Sequence, residues 1–161
     1  MDIIIKIISA IETIPFLGRV VDFLFGLILA FKKEVRLILN LSRPIMVIGS
    51  PKREMEIETR LLKDAGFFRI ENPVNKPQNT DRLRRHSLII VGYTSGETKI
   101  QSILATAKYK NVPVIVVASP GEISRKDIKA INSYSFCEIA NSNLRLMNLI
   151  FSILSTYKYD N

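Results

Sequence analysis

The chain has 161 residues, 47% of them hydrophobic and 24% charged, with a net charge of +8. That composition provides for a packed core and excludes a disordered chain, and the length suits one domain with an appendage. A single cysteine, Cys137, excludes an intramolecular disulfide and a CxxC metal site, and a single histidine, His86, excludes a multi-histidine metal centre.

The charge is unevenly spread. Residues 1–42 carry Lys6, Arg19, Lys32, Lys33 and Arg36 against Asp2, Glu12, Asp22 and Glu34, a net +1, which leaves +7 for the remainder. A basic domain can meet nucleic acid, nucleotides or an anionic membrane surface. With no dense Lys/Arg tract and no aromatic platform, a scattered, solvated basic face is the plain reading.

Residues 1–42 form a hydrophobic and amphipathic helical segment. Ile3, Ile4, Ile5, Ile7, Ile8 and Ile11 crowd a first helix that Pro15 ends near Thr13 or Ile14. A second helix is expected from Phe16 or Leu17 to Leu41, stopped by Ser42-Arg43-Pro44. Its centre, with Phe23, Leu24, Phe25, Leu27, Ile28 and Phe31, is apolar on every face, and Lys32, Lys33 and Arg36 open an amphipathic continuation. A membrane span needs about 20 mostly apolar residues. The uncharged centre is too short, and extending it back to Ile14 brings in Arg19 and Asp22, which an i, i+3 pairing near one end would make tolerable. The cationic cluster would then lie at the cytoplasmic surface. No cleavable signal peptide is expected. Three roles stay open for these helices: acting in or on a membrane, self-association or packing on a partner, and packing back on their own domain.

Residues 44–161 alternate strand and helix. Pro44–Ser50 predicts a buried strand, followed by a helix that Pro51 and Lys52-Arg53-Glu54 open and that runs to about Ala65, with Ile57, Leu61 and Leu62 on its spacing and Gly66 as its C-cap. Phe68-Arg69-Ile70 predicts a short second strand, ended by Asn72-Pro73. A polar loop follows, and Thr80–Arg85 holds about a turn of helix. His86, after Arg84-Arg85, is expected at the surface or rim. Leu88–Val91 and Val114–Val117 are short apolar runs rich in β-branched residues, as in strands buried on both faces, with a helix between them. Ser124 caps another helix with Ile128 and Ile131 facing inward. Ser135–Ala140 is an edge-like fifth strand. The Asn141-Ser142-Asn143 turn opens a last helix with Leu144, Met147, Ile150, Phe151 and Leu154 as its inward stripe. The order βαβαβαβαβα predicts an α/β fold with a five-stranded parallel doubly wound sheet.

The run MVIGSPKREMEIETRLLKDAGFFRI resembles the first βαβ of a response-regulator receiver domain. NVPVIVVAS resembles that family's fourth strand, and SYSFCEIANSNLRLMNLI its fifth strand and final helix. Flavodoxin-like sensor and TIR-like domains share the skeleton. A working receiver has an acidic cluster after the first strand, a phospho-accepting Asp after the third and a Lys after the fifth. Here Gly49-Ser50, Gly92-Tyr93 and Ile139-Ala140 stand there, and only Ser119 matches, at the switch hydroxyl. The resemblance therefore implies a pseudo-receiver kept for interaction or ligand sensing.

In open parallel sheets ligands meet the loops at the carboxyl ends of the strands. Gly49, Ser50, Lys52, Arg53, Tyr93, Thr94, Ser95, Gly96 and Ser119 are the candidate ligand-binding residues, with amides and hydroxyls suited to a phosphate or nucleotide. Gly49-Ser50-Pro51-Lys52 lacks the spacing of a Walker loop. No metal, cofactor or catalytic residue is assigned. The expected function is a non-enzymatic signalling or effector protein, cytoplasmic and peripheral to or anchored in a membrane. In it the receiver-like domain senses a ligand, such as a nucleotide, or a protein partner. The N-terminal helices act at an anionic membrane leaflet or in homo-oligomeric self-assembly. The layout resembles small prokaryotic signalling or defence effectors. The alternatives are a TIR-like NAD-cleaving enzyme using Glu97 or Glu122, and a pure oligomerisation adaptor.

Overall fold

The computed structural model describes residues 19, 23, 24, 26, 27, 31–50, 52–71 and 85–158. The chain divides into two compact units, residues 1–35 and 36–161. In the first, Arg19, Phe23, Leu24, Gly26 and Leu27 are helical. The expected first helix, Pro15 and the Thr80–Arg84 turn lie outside the described residues. The predicted second helix is described as a continuous element only as α1, Lys32–Leu41.

The α/β unit holds a four-stranded sheet in the order β1 (Ile45–Ile48), β2 (Leu88–Gly92), β3 (Val114–Val117), β4 (Cys137–Ala140), with every pairing parallel. Ile45 faces Leu88, Ile89 faces Val114 and Val114 faces Cys137, so the apolar runs stack in register. The intervening helices are α2 (Glu56–Asp64), α3 (Ile100–Lys110), α4 (Arg125–Asn132) and α5 (Asn143–Thr156).

The alternation of each strand divides the core in two. Met46, Ile48, Ile89, Val91, Val114 and Val116 pack with Ile100, Ile103, Leu104 and Ala107 of α3 and Ile131 of α4. Ile45, Val47, Leu88, Ile90, Ile115 and Val117 pack with Leu62 of α2 and Leu146, Ile150 and Leu154 of α5. Helices therefore cover both faces, which is why β1 to β3 show no polar alternation.

Five strands were expected and four form among the described residues. The Phe68-Arg69-Ile70 run contributes one parallel bridge, Ile70 to Ile45, through Ile45 N–H to Arg69 O (2.7 Å) and Glu71 N–H to Ile45 O (3.1 Å). Phe68 turns into the core, against Phe151 of α5. The bridge lies beside β1, on the side away from β2.

The predicted caps form where the sequence places them. Ser124 Oγ accepts from Asp127 N–H and Ser142 Oγ from Arg145 N–H, and Gly66 takes φ +78° after α2. The helix phases are partly different from those expected. Ile57 is 72% exposed and Leu144 73%, and Ile128 is also exposed. α5 buries Leu146, Ile150 and Leu154, an i, i+4, i+8 line, with Met147 and Phe151 at its margin. The helix after β1 begins at Glu56 rather than near Pro51, because Ser50 and Arg53 pair backbone to backbone instead.

Before the sheet, α1 is fixed to the unit from Arg36 onward. Leu37 and Leu41 pack on the second core. Asn40 is buried and its Nδ2 donates to Leu154 O (2.7 Å) and Tyr157 O (3.1 Å), two carbonyls at the end of α5. His86, expected at the rim, is 1% exposed, with Nε2 3.0 Å from Glu71 Oε2. It stands just before β2, and Glu71 is the residue that follows the Ile70 bridge.

Candidate functional site

The carboxyl edge of the sheet is built first by a loop that folds back over it. Ser50 and Arg53 exchange both backbone hydrogen bonds at 2.9 Å. This turn lies close over Gly49, where a Cβ would meet Arg53 O and Glu54 O at 3.2 Å. The chain then passes through Met55, a non-glycine residue at φ 60°, ψ 27°, in the left-handed region. Its buried side chain reaches Gly92 at the end of β2, and a Cβ there would lie 2.7 Å from Met55 Cγ and Sδ. A side chain at position 92 would therefore force the Met55 side chain to shift.

Ion pairs clasp this loop to its neighbours. Lys52 Nζ lies 2.7 Å from Glu97 Oε1, and that hydrogen bond and charge raise the lysine pKa. Arg53 reaches two carboxylates, Glu58 Oε1 at 3.2 Å and Glu122 Oε2 at 3.7 Å. Glu122 Oε2 also accepts Ser119 N–H at 2.8 Å, so one carboxylate joins the ends of β1 and β3. Ser50 Oγ and Thr94 Oγ1 are 2.8 Å apart, joining the ends of β1 and β2. Both acids that a NAD-cleaving reading would use, Glu97 and Glu122, are engaged with the basic loop.

Of the candidate residues, Ser50 and Thr94 meet directly, Lys52 and Arg53 reach the later loops through glutamates, and Ser119 joins through Glu122. Tyr93 does not line the rim. It is fully buried, its hydroxyl donating to Asp127 Oδ2 (2.7 Å) and accepting from Ser124 N–H (3.2 Å). Ser95 and Gly96, in an exposed turn with Gly96 at φ +80°, belong to a separate groove of about 490 Å³ between the N-termini of α3 and α4. Ser119 lines another, with Ile123 and Arg145.

Sequence reasoning missed Met55, Glu58 and Asp127. Only Asp127 carries a local signal: Ser124-x-x-Asp127 has the spacing of an N-terminal capping pattern. Burial pulls the Asp127 carboxyl upward, but hydrogen bonds from Tyr93, Ser124 and Gln101 and the charge of Lys126 outweigh it and hold it below its ordinary value. Cys137 lies in β4, where burial and then Glu138 push its thiol up to about 12, a poor nucleophile at neutral pH.

In the N-terminal unit, Phe23, Leu24, Leu27, Phe31 and Lys32 are exposed. Phe25, Ile28 and the side chain of Lys33 lie outside the described residues. No helix among the described residues is long and apolar enough to cross a membrane.

No protein-family model matches the sequence, and no curated protein matches it. Among solved structures, the chain resembles the crystal structure of a pilus assembly-related protein from Burkholderia pseudomallei. The likeness has a TM-score of 0.57 at 14% identity, over 75% of this chain and 96% of that one. Likeness at that level of identity is one of fold: a parallel α/β sheet flanked by helices.

Proposed function

We propose that this protein is a non-enzymatic signalling or effector module. Its α/β unit is a receiver-like domain that has exchanged phosphotransfer for binding, and the helical residues ahead of it deliver the output at a membrane. The observation that carries this reading is the closed carboxyl edge. Met55 fills the space beside Gly92, and Arg53 and Lys52 occupy the nearby carboxylates. A phosphoryl acceptor needs a free carboxylate at that edge, and the arrangement favours a surface that recognises a partner or ligand over one that reacts. The exposed Phe23, Leu24, Leu27 and Phe31 support the membrane half.

Intact-mass measurement of the full chain after incubation with acetyl phosphate and Mg²⁺ tests the first half, with no added phosphoryl group expected; stoichiometric phosphorylation would sink it. Flotation and light scattering of the full chain against a variant with Phe23, Leu24, Leu27 and Phe31 each changed to Ser test the second. Loss of flotation in the variant supports the membrane role. A defined oligomer that never floats, and that the variant dissolves, would turn the helices into an assembly interface.

A further inference from the structure

The two helical layers of the α/β unit differ sharply in charge. On one face of the sheet, α3 and its N-cap carry Lys99, Lys108 and Lys110 with no acid, and α4 carries Arg125, Lys126 and Lys129 against Asp127, a net +5. On the other, α2 and α5 carry Arg60, Lys63 and Arg145 against Glu56, Glu58 and Asp64, a net of zero, to which α1 adds Arg36 where it packs on that core. Most of the +8 of the whole chain is thus on one layer. The two helices of that layer are neighbours, with Gln101 Nε2 3.5 Å from Asp127 Oδ1.

Only part of this charge suits the helices: Lys108 and Lys110 lie in the last turn of α3 and Lys129 in that of α4, where cations are favoured. A helix N-terminus favours anions, yet Lys99 stands at the N-cap of α3, and Arg125 and Lys126 are the first two residues of α4. Among the described residues, Lys99, Lys108, Arg125, Lys126 and Lys129 make no ion pair, while Glu97 and Glu122 are taken by Lys52 and Arg53. The one acid of the layer, Asp127, directs its carboxylate to the Tyr93 and Ser124 hydroxyls. Beside Lys108 and Lys110, Tyr109 is 81% exposed.

We propose that the α3–α4 face docks on an anionic lipid bilayer. Five of its six cations are lysines, hydrated point charges on flexible stems that suit a diffuse headgroup field; the planar fork of arginine is the group that reads phosphates and bases individually. Tyr109 has the apolar body and polar tip that sit at headgroup depth. The proposal rests on the membrane half of the function above but uses different residues, so the two can fail separately.

The test is co-sedimentation of the full chain with vesicles of phosphatidylcholine alone and of phosphatidylcholine mixed with phosphatidylglycerol, at low and physiological salt. Lys108→Gln/Lys129→Gln is compared with Arg60→Gln/Lys63→Gln on α2, which removes the same charge from the other layer. All four side chains are exposed, and circular dichroism checks that both variants stay folded. The expected result is an affinity for the anionic vesicles reduced about thirtyfold by the first pair, with only a small change from the second. Equal losses in both variants overturn the face. So does binding unaffected by phosphatidylglycerol, an outcome that leaves the helical segment as the membrane element. So does binding of a duplex DNA probe with no vesicle binding. Failure to bind vesicles of either composition overturns both the face and the membrane half of the function.

Discussion

A Cβ on Gly92 would lie 2.7 Å from both Cγ and Sδ of Met55, so Met55 takes the volume in which residue 92 would otherwise carry a side chain. The relationship runs both ways. Gly92 makes room for a buried methionine, and that methionine holds a left-handed backbone that few non-glycine residues adopt.

Gly92→Ala is therefore expected to destabilise the protein by about 1–3 kcal/mol through overpacking against Met55. Met55→Ala should cost about 2–5 kcal/mol as a cavity. The double variant should be more stable than the two losses added together, because the new methyl group has space. Urea unfolding of the four proteins measures the coupling, and strict additivity would show that the two residues do not share this volume.

Asn40 supplies the second prediction. Asn40→Ala leaves the Leu154 and Tyr157 carbonyls without their Nδ2 donor in a buried setting and should cost about 1–3 kcal/mol. Asn40→Asp should be no better, since a carboxylate turns acceptors toward carbonyl oxygens. Amide exchange should accelerate in the last turn of α5 before it does in β2 or β3.

Acid should weaken the Tyr93–Asp127 pairing in a defined direction. The Asp127 carboxyl is held below its ordinary value of 3.8 in the folded protein. A depressed folded pKa contributes stability that is present above the unfolded value and is lost as pH falls through the folded one. Tyr93→Phe removes one of the hydrogen bonds responsible, so the stability of that variant should depend less on pH below about 4 than that of the parent. Denaturant midpoints across the acid range decide this; parallel curves would exclude Tyr93 as the cause.

Cys137 should be nearly inert while the chain is folded. With its thiol pushed up to about 12 from 9.0, the thiolate fraction near neutral pH falls about a thousandfold. Alkylation by iodoacetamide should be slower by that order in native protein than in urea. Comparable rates would mean that β4 opens readily at the sheet edge.

Much of the fold is legible in the sequence because its signals are local. The runs at Ile45–Ile48, Leu88–Val91 and Val114–Val117 are short, β-branched and closed by small polar residues, and all three are buried strands. Ser124 and Ser142 announce their helices for the same reason. What is not legible depends on distant partners. His86 looks like a rim residue beside Arg85, but it is buried with the Glu71 carboxylate beside it. Tyr93 looks like a loop residue, but its hydroxyl finds Asp127, 34 positions away. The expected second strand is reduced, among the described residues, to the single Ile70 bridge, with Phe68 buried in the core. At the site, the basic loop was readable as a source of positive charge. That its charges would be spent on Glu58, Glu97 and Glu122 was not, since two of those acids come from loops after other strands.

Asn40 also ties the start of the α/β unit to the end of α5. The end of α5 lies at the amino edge of the strands, and the Met55–Arg53 loop closes the opposite edge. The two are separated by the length of a four-residue strand, about 13 Å, filled with buried Ile and Val side chains that have no polar atoms to rearrange. The Met55–Arg53 loop and Asn40 therefore lie at opposite ends of an apolar layer. The elements that run between the two edges on the Asn40 side are α2 and α5.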